Sequence, residues 1–397
     1  MRDDVAIIGA GPAGARAGFV LASRGARVTM FDWSHPREKP CGGGVTGRAL
    51  ALVADSIDAA SWPASIIRSA RFTDTPRGRS VVVALKDHDN GADRPVDSAR
   101  GTALVVADRS TFDAQLLAAA ERAGARLDRS RVTDVIIDAR GVSLDTTGGR
   151  RTASFVIGAD GANSLVRRRV AAPFRRDQLS IATGFFAHGV TSDQIAIELT
   201  ADPPGYVWSF PRPTHLAIGI CAQADAGVTA ATLRQQAARW IAATRIADGA
   251  RLEPYSWPIP SLSAADLDAP PLAGPRWALT GDAAGLVDPI TREGIYFALA
   301  SGNWIGEALN RDDARVYEAR ARDEAIPELA RAAQLKAGFF RPAFAGLMMR
   351  ALHESEAIRA VMADLIAGCQ SYRSLKWRLA RTFEWKLAFK AVRSLRF

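Results

Sequence analysis

The sequence predicts an α/β protein: a doubly wound nucleotide-binding unit, an inserted mixed α+β domain and a helical C-terminal region. Three observations predict it. The turn Gly9-Ala10-Gly11-Pro12-Ala13-Gly14 stands between an apolar run at 4–8 and a helical pattern at 12–24. Two later apolar runs, ending at Gly158 and Thr280, also lead straight into an aspartate among small residues. Between these, 171–260 is rich in strand patterns and prolines, whereas the pattern from Glu293 onward is mainly helical.

Taken in order, the helix over 12–24 carries Ala13, Ala17, Val20 and Leu21 at helical spacing, and Arg27 to Phe31 is a β-rich run ending at Asp32. This is a βαβ opening. A loop rich in Pro, Gly and charge follows from Ser34 to Gly47. Strand patterns at 67–84 and 100–107 flank the polar stretch 86–93. A helix is expected over 110–123, closed by Gly124, then strands near 131–137 and 152–158. The inserted region contains the alternating segment Tyr206-Val-Trp-Ser-Phe-Pro211, and a last strand at Trp277–Thr280 returns the chain to the first unit. The expected division is a nucleotide-binding domain of 1–66, 98–170 and 271–325, a substrate-binding domain of 67–97 and 171–270, and a helical region of 326–397 ending in a basic amphipathic tail.

Composition narrows the function classes. A chain of 397 residues with 48% hydrophobic and 23% charged residues is globular and large enough for two sub-domains. Three scattered cysteines, Cys41, Cys221 and Cys369, form neither a disulfide framework nor a CxxC site, so a reducing cytosol and no metal are expected. Met1 to Asp4 pass directly into the first strand, so no signal peptide is expected, and no apolar run reaches the ~18 residues of a spanning helix. Eight basic residues against the single Glu384 give Tyr372–Phe397 a net +7 of the chain's +9. A nucleic-acid surface on the body is therefore not expected. The tail interleaves those cations with Leu375, Trp377, Leu379, Phe383, Trp385 and Phe389. That pattern fits either an interfacial helix making peripheral membrane contact or a terminal helix packed on the body with a solvated basic face.

The first glycine turn has a mechanical reading. Gly9 makes the tight turn, Gly11 lets the backbone approach a pyrophosphate, and Gly14 allows close helix-to-strand packing, with the phosphates at a helix N-terminus. Asp32, 23 positions after Gly9, is placed to accept from a ribose. NAD and FAD are not separated by this motif. In Gly158-Ala-Asp160-Gly161-Ala-Asn163-Ser164 and Thr280-Gly281-Asp282-Ala283-Ala284-Gly285 an acid at a strand end can accept from sugar hydroxyls; singly, each is equally a turn with an Asp-capped helix. The three together, in this order, are far more specific.

On these residues the chain resembles the flavoprotein superfamily typified by p-hydroxybenzoate hydroxylase, with a Rossmann-like FAD-binding domain. Within that superfamily it is most similar to the geranylgeranyl reductase family. The narrower likeness rests on Lys39-Pro40-Cys41-Gly42-Gly43-Gly44, on Tyr206-x-Trp208-x-Phe210-Pro211 and on Asp288-Pro289-Ile-Thr-Arg-Glu293-Gly294-Ile295. The resemblance implies FAD held by Gly9, Gly11, Pro12, Ala13, Gly14, Asp32, Cys41, Gly42, Gly43, Asp160, Gly281, Asp282, Gly285, Gly294 and Ile295. By it, Asp282 holds the ribitol chain, and Arg109 either reaches the pyrophosphate or is an ordinary helix-start arginine. If a helix begins near Glu293, the free N–H groups of Gly294 and Ile295 would stabilise charge on a reduced flavin. Arg292 stands where the commoner GEGI pattern has glycine, adding a cation beside the flavin or merely solvating a loop.

Tyr206, Trp208 and Phe210 share one strand face. They form either a core stripe or, as the resemblance implies, a wall over the flavin suited to an isoprenoid chain. Cys41 is either a small buried hydrophobe or a group contacting the alkene and assisting proton delivery. The expected activity is reduction of carbon–carbon double bonds in a polyprenyl group of a lipid, pigment precursor or quinone, with FAD reduced by NADPH or ferredoxin. One alternative is an FAD-dependent monooxygenase or halogenase on the same scaffold; a second is a non-catalytic prenyl-binding protein. The expected place is the cytoplasm or the cytoplasmic membrane face, and oligomeric state is not legible.

Overall fold

The computed structural model describes residues 5–85 and 103–382. The polar stretch 86–93 and the tail from 383 onward, with Phe383, Trp385 and Phe389, lie outside the described residues.

The expected doubly wound unit is present. Val5–Ile8 is buried at every position, as a central parallel strand must be, and pairs in parallel with Val28–Phe31 on one side and Phe155–Gly158 on the other. Trp277–Leu279 and Arg126–Asp128 extend this sheet, and Ala273–Gly274 adds a short antiparallel edge. Helix Pro12–Ala22, with proline in its first turn, packs on helix Ile295–Leu309 through Gly302 and Gly306. Remote ends of the chain therefore meet beneath the glycine turn.

The second sheet has seven strands in the order Arg251–Pro260, Leu179–His188, His215–Gln223, Pro204–Pro211, Gln194–Ala201, Ser69–Asp74 and Arg79–Ala84. All neighbours are antiparallel except Gln194–Ala201 and Ser69–Asp74. Helix Ala230–Thr244 buries Leu233, Ala237 and Trp240 against Val207, Ile218 and Ile220 on one face. The alternate residues Tyr206, Trp208 and Phe210 face the other way, into a cavity.

Three sequence expectations are modified. Only Leu104–Ala107 of the 100–107 pattern is a described strand, and it pairs with Gly44–Thr46 and Ala64–Ile66 in a separate small sheet, so the Ser34–Gly47 loop ends in a strand. The 152–158 run breaks at Ser154: Gly149–Ala153 closes a meander with Gly141–Thr146 and Val132–Asp138, while Phe155–Gly158 enters the parallel sheet. A bend of one residue lets two adjacent runs serve different sheets. Six helices follow Gly294 among the described residues, from Ile295–Leu309 to Tyr372–Arg381, as the helical pattern predicts.

Candidate active site

The two glycine-rich turns touch. Gly9 has φ +98°, and a side chain there would meet the Ala159 carbonyl oxygen at 2.4 Å. A Cβ on Gly14 would stand 1.9 Å from the Gly9 oxygen, so close helix-to-strand packing is the reason for that glycine. At Gly11 a Cβ would meet only the His35 ring, at 3.6 Å. No protein atom requires glycine there, which leaves the backbone open to a ligand, and Pro12 lines the cavity beside it.

Asp32 ends its strand as expected, but protein donors already engage it. Oδ2 accepts from Ala10 N at 3.0 Å, and Oδ1 accepts from Ser34 N at 2.9 Å and His35 N at 3.1 Å. His35 Nδ1 makes an ion pair with Asp32 at 3.0 Å, and Nε2 donates to Asp113 at 2.9 Å. Asp113, wholly buried, accepts two bonds from Arg109, at 3.0 and 2.8 Å. Burial alone would depress His35, yet hydrogen bonds and charge from Asp113 and Asp32 raise its pKa. Burial alone would raise Asp32, yet His35 with the Ala10 and Ser34 N–H groups holds its carboxyl well below the usual range. Arg109 lines the cavity while its guanidinium is committed to Asp113.

Asp160 divides its oxygens. Oδ2 accepts from Leu165 N at 2.6 Å, capping the following helix, while Oδ1 is buried without a partner, and burial raises its pKa. An unsatisfied acceptor beside the Gly9 turn, together with the open approach at Gly11, is what FAD would fill; the residues present fit that cofactor. Asp282 and Lys39 pair at 3.5 Å on the cavity wall. Gly281 N donates to Ser301 at 2.9 Å, and Gly285 closes the short turn after Asp282. Helix Ile295–Leu309 begins two residues later than Glu293: Gly294 is its N-cap and Ile295 its first residue, and both line the cavity. The N–H groups without an intrahelical acceptor are those of Gly294 to Phe297, so Gly294 and Ile295 are among them.

The loop Cys41-Gly42-Gly43-Gly44 lines the same space. Cys41 Sγ accepts from Gly43 N at 3.3 Å. Phe210 packs on Gly42 and Gly44, where any Cβ would come within 3.2 and 3.0 Å of its ring. Tyr206 OH donates to the Thr291 carbonyl at 2.5 Å, tying the aromatic strand to the Pro289–Ile295 segment. From there the cavity, about 360 Å³, continues between Ile195, Phe339, Met348, Met362, Leu365 and Leu379.

Sequence reasoning missed several supporting residues. Arg212, fully buried, donates to the Cys41 carbonyl at 2.6 Å and pairs with Glu38. Glu38 accepts from Arg109 N at 3.3 Å and Ser110 N at 3.2 Å, fastening the Cys41 loop to a helix start. His35 and Asp113 carried no local signal, being 78 positions apart. An arginine directly after the aromatic strand, at Arg212, was the one available cue.

Glycine turns and carboxylates at the ends of these strands fit an FAD-dependent oxidoreductase, and residues 2–295 match the family of the FAD binding domain. The chain belongs to that family and, within it, to the geranylgeranyl reductase family. It is 29% identical over 372 residues to the digeranylgeranylglycerophospholipid reductase of Methanothrix thermoacetophila, covering 86% of this chain and 88% of that one. It is 30% identical over 325 residues to the menaquinone reductase of Mycolicibacterium smegmatis, covering 78% and 76%. Its fold is that of a geranylgeranyl bacteriochlorophyll reductase-like protein from Thermoplasma acidophilum, with TM-score 0.76, 22% identity and coverage of 96% and 99%.

Proposed function

We propose that this protein saturates carbon–carbon double bonds of a geranylgeranyl-type polyprenyl group carried by a lipid, pigment precursor or quinone. The observation that carries the reading is the continuity of one cavity from the Cys41 loop, Asp282 and Gly294 into a space walled by aliphatic and aromatic side chains. Bound FAD, recharged by NADPH or ferredoxin, supplies a hydride. The isolated alkene is a poor acceptor, so Tyr206, Trp208 and Phe210 hold the chain in place and exclude water. Cys41, at the cofactor end of the cavity, contacts the alkene or delivers the proton that completes saturation.

The inserted-domain boundaries are supported by strands 69–84, which join the same sheet as 179–260. Helix Tyr372–Arg381 serves both readings of the tail. Leu375 and Leu379 line the cavity, while Trp377 is 75% exposed beside exposed Arg373, Lys376 and Arg381. No helix among the described residues is long and apolar enough to cross a membrane. The exposed face suits peripheral contact with an anionic membrane surface, from which a lipid-borne substrate would enter.

Anaerobic turnover tests the reading. Holoenzyme reduced with dithionite and given geranylgeranyl lipids should yield products heavier by two hydrogens per bond, read by mass spectrometry. Turnover that requires oxygen would favour the monooxygenase or halogenase alternative, and a protein that binds prenyl lipids but never changes them would be a carrier.

A further inference from the structure

Arg292 occupies the left-handed region, φ +61°, where an L-residue is disfavoured and glycine is not. A loop that merely had to turn here would gain from glycine. The side chain that stands there lines the cavity, yet its Nε and Nη1 are buried and hydrogen-bonded to nothing. The two carboxylates lining the same cavity are already engaged, Asp282 with Lys39 and Glu293 with Arg48. Among the described residues no ion pair involves Arg292; buried Asp288 feels its charge, but Asp288 Oδ1 accepts from Ile290 N at 2.7 Å and Thr291 N at 2.9 Å. A second cation, Lys336, lies close enough to feel its charge. The Lys336 ammonium meets only neutral acceptors, Ser261 Oγ at 3.2 Å and Gln223 Oε1 at 3.3 Å. Burial, and then the charge of Arg292, push Lys336 down to about 8.

Positive charge with no ion-pair partner, on the wall of a largely apolar cavity, calls for an anion from outside the chain. We infer that Arg292 seats the phosphate or diphosphate head group of the prenyl substrate, so that the enzyme prefers anionic prenyl compounds to neutral ones. The inference rests on the prenyl-reductase reading and narrows it, away from a quinone or a free prenol. A guanidinium suits the task because its fork can donate two parallel bonds to phosphate oxygens.

The test uses FAD-loaded protein and the variants Arg292→Gly and Arg292→Lys. Glycine adopts φ +61° freely, so Arg292→Gly keeps the backbone path. Titration calorimetry with inorganic diphosphate should show binding to the parent that weakens about tenfold or more in Arg292→Gly and is partly restored in Arg292→Lys. In turnover, KM should rise by a similar factor for geranylgeranyl diphosphate, while that for geranylgeraniol stays put. A geranylgeranylglycerol phosphate lipid in detergent micelles, run beside the diphosphate, shows which phosphate source the arginine serves. Equal losses for the charged and neutral substrates, or a shifted flavin midpoint potential with unchanged diphosphate binding, would overturn the inference. If no prenyl compound is reduced at all, the reductase reading fails, and calorimetry alone still decides whether Arg292 holds phosphate.

Discussion

The contact between helices Pro12–Ala22 and Ile295–Leu309 should set both stability and FAD affinity, and Gly302 is the place to test it. A methyl group at Gly302 would stand 2.3 Å from the Ala13 carbonyl oxygen and 3.2 Å from its carbon. Carbon and oxygen rest at about 3.3 Å, so the helices must part by roughly 1 Å. Both surfaces are backbone, and no rotamer change can absorb the clash. Overpacking of this kind costs about 1–3 kcal/mol, of which better helix propensity returns roughly 0.5–1 kcal/mol. Because Ala13 belongs to the Gly9–Gly14 turn, which we propose faces the FAD phosphates, the displacement also moves that turn. Gly302→Ala should therefore lower the urea midpoint of the apoprotein and weaken FAD, titrated by quenching of flavin fluorescence, by about tenfold. Gly346→Ala is the control: it lies exposed within helix Pro342–Glu354 with nothing within 4 Å of its added Cβ, and should be neutral or slightly stabilising. Should Gly302→Ala unfold at the parent's midpoint and bind FAD equally well, the helix contact does not govern the turn.

Two further perturbations separate other parts of the structure. Trp377→Ala should leave thermal stability within about 0.5 kcal/mol, since the ring is 75% exposed, while reducing sedimentation with vesicles containing anionic lipid; unchanged sedimentation would argue for the solvated-face reading of the tail. Lys336→Met should stabilise the protein at pH 7 by on the order of 1 kcal/mol, after discounting for partial exposure. The folded lysine, at about 8 against its ordinary 10.5, binds its proton less tightly than the unfolded chain. The penalty it imposes is complete below pH 8 and fades as pH rises toward 10.5, so the advantage of methionine, followed by urea unfolding, should shrink over the same window. An advantage that does not change with pH would show that charge burial is not its cause.

Much of the architecture was legible because it depends on near neighbours along the chain. Period-two and period-3.6 patterns, the glycine spacing of 9–14 and acids placed at strand ends are local properties, and they predicted the doubly wound sheet and the strand face shared by Tyr206, Trp208 and Phe210. The departure at Arg292 was equally visible in the sequence. Its left-handed backbone and its lack of a partner were not.

Amino-acid order by itself determined a dinucleotide fold of the FAD type and a family. Tertiary structure alone decided which charges meet: Asp32 with His35 and Asp113, Arg212 with the Cys41 loop, and Asp160 as a helix cap with one oxygen to spare. It also decided that Gly302 is a contact rather than a flaw in a helix. The physical reason is that backbone preference is settled within a few residues, whereas the partner of a buried charge, or the atom facing a missing Cβ, is set by where distant segments come to rest.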